Sequence, residues 1–208
     1  MEKNRLEAFS DGVIAIIITI MVLDLHAPRP GQLSTPGLQT PPPDQLAALI
    51  PILPSFFAYV LSFTYVGIYW NNHHHMLHST RRVSGGILWA NLHLLFWLSL
   101  LPFTTDWMGQ NHFASTPTAV YGGVLLMAAM AYYILQCAII AHQGPDSLLA
   151  SALGRDWKGK ISPMLYVSAI PLAFVSPSIS NGLFVLVALI WLVPDRRIER
   201  VLVGREKQ

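Results

Sequence analysis

The chain has 208 residues, of which 53% are hydrophobic and only 12% charged, against about 25% charged in an ordinary soluble domain. That much apolar surface excludes a water-soluble globule and calls for lipid as solvent, and the small net charge of +2 implies no nucleic-acid partner. The single cysteine, Cys137, excludes an intramolecular disulfide framework.

The first apolar stretch, Val13–Leu23, is short. Extended back through Asp11 to residue 6 and on to residue 25 it reaches the ~20 residues that cross ~30 Å of hydrocarbon. A signal peptide fits it poorly, because Asp11 and Asp24 bracket the run and no small-residue cleavage site follows. A Pro/Gly-rich loop at 26–44 comes next, then predicted spans at 46–70, 85–106, 117–141, 161–177 and 179–194. The longest loop on the opposite side is Gln143–Gly159. Six spans in one transmembrane domain over 1–208 make this an all-α integral membrane protein.

Basic residues resist translocation, so their placement orients the chain. Lys3 and Arg5 precede span 1; Arg81 and Arg82 follow span 2; Arg155, Lys158 and Lys160 follow span 4; Arg196, Arg197, Arg200, Arg205 and Lys207 follow span 6. Only Arg29, of 13 Lys and Arg residues, lies on the other side. Five or seven spans would break the alternation, which places both termini in the cytoplasm.

Enzyme chemistry inside a bilayer needs a nucleophile, a metal site or paired carboxylates. No His-Glu-x-x-His, Gly-x-Ser-x-Gly or Cys-x-x-Cys pattern occurs, and no acid lies mid-span. The run His73-His74-His75 with His78 suggests metal binding by helical spacing, yet no Cys, Asp or Glu adjoins it. It reads better as the cytoplasmic end of span 2, where imidazoles suit the negative helix terminus. Thr64-Tyr65-Val66-Gly67-Ile68-Tyr69 loosely echoes a potassium-channel filter, but it continues a long apolar run where a filter needs a re-entrant loop. Gly67 reads as a helix-packing residue.

Span 1 is the unusual one. Arg5, Ser10 and Asp11 enter an otherwise apolar helix, and charge inside a span marks a functional site by default, although Ser10 and Asp11 could equally cap the helix start. Further along, Ile16, Thr19, Ile20 and Leu23 fall on one helical stripe, with Asp24 at its outer end. Such a stripe suits either a narrow cation path or an ordinary packing face.

The segment Arg5-x-x-x-Phe9-Ser10-Asp11 resembles the signature of the transmembrane protein 175 family, the endolysosomal and bacterial potassium channels. Trp70 and His73 closing span 2, Asn91 within span 3 and Leu101-Pro102-Phe103-Thr104 at that span's end also look like single-repeat bacterial members. The resemblance implies a homotetramer in the cell (inner) membrane, with the first helix of each subunit lining the pore. Potassium would be the permeant species among monovalent cations, and no cofactor would be required. It further implies a narrowest ring at Ile16, further apolar layers at Leu23 and Ile20, and a hydroxyl ring at Thr19. Asp24 would gather cations at the outer mouth. Arg5, Phe9, Ser10 and Asp11 would fix the rotation of helix 1, with Trp70, His74 and Asn91 as partners, His74 being preferred over His73. The competing readings are a secondary transporter, which would show internal repeats and broken mid-membrane helices, and a non-conducting membrane assembly protein.

Overall fold

The computed structural model describes residues 3–27, 46–78, 80, 83–144 and 157–192. The Pro/Gly-rich loop, most of the 143–159 loop and the basic C-terminal run lie outside them. Among the described residues every element is helical. In chain order these are α1 (Lys3–Leu23), a 3-10 turn (Leu46–Ile52), α2 (Leu53–His78), α3 (Gly85–Ser99), α4 (Leu101–Gln110), α5 (Ser115–Gln143), α6 (Trp157–Val175) and α7 (Pro177–Leu192). Four helical stretches are long and apolar enough to cross a membrane: Lys3–Leu23, Leu46–His78, Gly85–Gln110 and Ser115–Gln143. Pro177–Leu192 is a shorter apolar helix.

Local chemistry sets the boundaries. Ser84 caps α3, its hydroxyl oxygen accepting from the Ile87 amide at 3.4 Å. At the other end of that passage, Pro102 supplies no amide proton, so the helix breaks at Leu100 and restarts as α4. The Thr104 hydroxyl donates back to the carbonyls of Leu100 and Leu101, both at 3.2 Å. A tight turn joins α4 to α5 through His112 and Phe113, which take positive φ of 49° and 58°. The Phe113 amide closes that turn on the Met108 carbonyl at 2.9 Å. Pro177 begins α7 one residue after α6 ends, which folds the two into a hairpin; the Trp191 indole donating to Ser162 at 2.8 Å proves them antiparallel.

Helix α5 is the centre of the bundle, packing on α3, α4, α6 and α7, whereas α1 lies to one side against α2, α3 and α4. Tyr65, Tyr121 and Phe184 are fully buried where α2, α5 and α7 meet. Their polar atoms are satisfied: the Tyr65 hydroxyl donates to the Phe184 carbonyl at 2.6 Å, and the Thr105 hydroxyl donates to Ser62, which meets the Tyr121 hydroxyl at 3.0 Å. Outside this core, large apolar side chains such as Trp89, Phe103 and Met164 stand unpacked, a surface suited to hydrocarbon.

Two glycines let helices approach closely. A Cβ on Gly109 would stand 2.6 Å from the Ser55 Cα, and one on Gly122 would stand 2.7 Å from the Phe184 ring. Gly67 is not one of them, since a Cβ there would meet nothing within 4 Å; it faces away from the neighbouring helices. Gly109→Ala therefore forces α4 off the α2 backbone. It should cost about 1–3 kcal/mol, read as a lower midpoint of thermal unfolding in detergent, whereas Gly67→Ala should leave that midpoint unchanged.

Candidate functional site

Helix α1 has two unlike faces. Leu6, Ser10, Ile14, Ile17 and Met21 are buried against α2, α3 and α4. Opposite them, Phe9, Ile16, Ile20 and Leu23 are 49%, 58%, 43% and 74% exposed, and Arg5, Gly12 and Thr19 are exposed with them. At about 100° per residue, Gly12, Ile16, Thr19 and Leu23 cluster around the line opposite the buried face, while Ile20 sits on its shoulder. The Thr19 hydroxyl donates to the Ile16 carbonyl at 2.9 Å, which leaves the oxygen lone pairs turned away from the helix.

The buried face is fixed by a polar chain. The His73 ring donates from Nε2 to the Asn91 Oδ1 at 2.7 Å. The Asn91 amide donates to the Ser10 hydroxyl oxygen at 2.9 Å, and that hydroxyl donates to the Leu6 carbonyl at 2.9 Å. All three side chains are essentially without exposure. Since an amide carbonyl only accepts, His73 must carry its proton on Nε2. Beside this chain, the Trp70 indole donates to the Asp11 carboxylate at 3.0 Å. The Lys3 ammonium donates to the His78 carbonyl at the end of α2, at 2.7 Å, and lies 3.6 Å from Glu7. Every hydrogen bond found between α1 and another helix among the described residues thus falls within residues 3–11.

The four signature residues therefore divide: Ser10 points inward, Asp11 bonds sideways to α2, and Arg5 and Phe9 stand on the open face. Trp70 and Asn91 are in contact with the signature. His74 is not, which corrects the preference for it over His73. One residue step turns a helical side chain by ~100°, and His73 continues the buried stripe of Tyr65 and Tyr69. His74 continues the exposed stripe of Trp70, its ring 6.1 Å from the indole and 6.2 Å from His78. Lys3 was missed because a backbone carbonyl partner leaves no sequence signal.

At the C-terminal end of α1, Asp24 and Asp106 line one small cleft with Ser55 and Tyr59. Partial burial and the neighbouring Asp106 carboxylate raise the Asp24 pKa above its ordinary value, and His26 opposes the shift. Among the described residues no group of three His, Cys, Asp or Glu side chains is placed to hold a metal ion.

Residues 5–102 match the family model described as the endosomal/lysosomal potassium channel TMEM175. A protein from Chryseobacterium sp. (strain P1-3) named as a potassium channel is 53% identical over 97% of this chain and 98% of its own length. Another so named, from Chamaesiphon minutus, is 31% identical over 90% of this chain and 92% of its own. The crystal structure of a lysosomal potassium-selective channel TMEM175 homolog from Chamaesiphon minutus superposes with a TM-score of 0.77. It shares 29% identity and covers 92% of this chain and 97% of that one. With near full-length identity of this order and a shared fold, the chain belongs to the TMEM175 family of membrane ion channels, and is not an enzyme.

Proposed function

We propose that this protein conducts potassium as a homotetramer, with the open face of α1 from each subunit lining a central pore. The observation that carries the reading is that face itself. Its row of Ile16, Thr19 and Leu23 is left uncovered by the other described helices, on a helix that the bundle holds from the opposite side through a buried polar chain. The names of its relatives agree with the choice of ion. Six passes with both termini cytoplasmic follow from the basic-residue alternation, with α6 and α7 as the fifth and sixth, and the likeness to bacterial relatives supports the cell (inner) membrane.

Ile16 forms the narrowest ring. Four aliphatic side chains there make a constriction that water enters reluctantly, so conduction depends on wetting. Thr19 and Leu23 add a hydroxyl and an outer apolar layer, and Ile20, on the shoulder, packs between subunits. The outward lone pairs of Thr19 replace part of the hydration a cation loses, which favours potassium modestly over the more strongly hydrated sodium. Arg5 and Phe9, exposed on the open face, meet neighbouring subunits at the cytoplasmic entrance. Asp24, with Asp106 behind it, concentrates cations at the outer mouth.

Three measurements test this. In liposomes under opposed potassium and sodium gradients, the reversal potential should lie toward that of potassium. Ile16→Asn should move it toward zero while raising conductance, and an unchanged current would remove Ile16 from the pore. Asn91→Leu leaves the buried His73 Nε2–H without its acceptor and removes the donor to Ser10; stranding such a group costs about 1–3 kcal/mol, so tetramer yield in detergent should fall. The third is pH. Protonation neutralises Asp24, and its raised pKa places that loss above the ordinary carboxylate value of about 4. Acidifying the outer side through this range should reduce conductance, and Asp24→Asn should give a lower conductance with a flattened response.

A further inference from the structure

A cavity of about 630 Å³ opens on the side of the bundle away from the open face of α1, bounded by α2, α5, α6 and Trp191 of α7. Its size is that of a ligand site. Ile68, Ala129, Met130, Ile134 and Tyr166 give it apolar walls, and Lys160 stands at its rim. Gln136 lines it as well. That side chain is only 8% exposed, so the cavity wall carries a nearly buried amide.

The cavity lies at the cytoplasmic ends of its helices: α2 leaves it at Asn72, α5 at Ile140, and α6 enters it at Gly159. Helix α1 touches neither α5, α6 nor α7 beyond isolated contacts. In a tetramer closed around α1 this side faces lipid. Its occupant must therefore be apolar for most of its length and negatively charged at the cytoplasmic surface, where Lys160 is exposed. Anionic lipids of the inner leaflet have this character.

We infer that the cavity between α2, α5 and α6 binds an anionic phospholipid of the inner leaflet, with an acyl chain along Ile68, Met130 and Ile134 and its phosphate on Lys160. The ester oxygens of the lipid, at the junction of chain and headgroup, accept from the Gln136 amide. A neutral phospholipid would satisfy the walls and Gln136 but leave Lys160 without its counter-charge.

The inference rests on the membrane orientation proposed above but not on conduction, so binding is read without current. The full-length protein, purified in detergent, is titrated with phosphatidylglycerol or phosphatidylcholine, and retained lipid is counted by native mass spectrometry. One phosphatidylglycerol per protomer should be retained, with a preference over phosphatidylcholine of about fivefold. Lys160→Glu, at an exposed position, should abolish the preference. Met130→Trp, also at an exposed position, should block the cavity and release both lipids. Equal retention of the two lipids by the unaltered protein, or retention indifferent to both substitutions, would overturn the proposal while leaving the pore reading intact.

Discussion

The amide of Asn91 joins three helices at one point. Its oxygen takes a proton from His73 on α2 and its nitrogen gives one to Ser10 on α1, while the side chain itself is rooted in α3. In a low-dielectric interior such a chain polarises along its length, and breaking any link strands a buried group. Rotating α1 by one residue would bring Phe9 or Asp11 to Asn91 in place of Ser10, and neither could both accept from the amide and donate to the Leu6 carbonyl. The chain therefore decides which residues of α1 face the protomer, and by subtraction which remain free to face other copies.

The rest of the bundle is held differently. Between α2 and α4, and between α5 and α7, the helices are drawn together by missing side chains at Gly109 and Gly122. A few hydroxyl contacts among Ser62, Thr105 and Tyr121 add direction. This suits a lipid solvent, which gives apolar side chains no strong reason to leave it, so packing density and internal hydrogen bonds carry the association. Helix α5 packs on α3, α4, α6 and α7, whereas α1 is held from one side by α2, α3 and α4.

Much of this was legible in the sequence because it lay in composition and local spacing. The apolar runs located the described helices to within a few residues apart from a longer far end at α2, and the spacing of Arg5, Phe9, Ser10 and Asp11 singled out the helix that the buried polar chain holds. Facing was harder. The choice between His73 and His74 turns on which stripe of α2 is covered, and the sequence of α2 is apolar nearly all round, so hydrophobic contrast could not settle it. The same lack of contrast hid the packing glycines: Gly67 and Gly109 look alike in the chain, and only the position of Ser55 across the gap separates them. The cavity beside Gln136 had no signature at all, since its walls come from four helices far apart in sequence.

The bonds that tie α1 to its neighbours are unevenly distributed along it. Lys3, Ser10 and Asp11 hold its first half by directed hydrogen bonds, whereas Ile14, Ile17 and Met21 hold the remainder by contact alone. Directed bonds resist twisting and sliding together; apolar contact resists separation but lets surfaces glide. The helix is thus mounted as a cantilever, clamped at its N-terminal end and merely resting along the part that carries Ile16, Thr19 and Leu23. Small tilts about the clamp displace Leu23 more than Ile16, so the far end of the exposed row is mechanically softer than the part nearest the anchor.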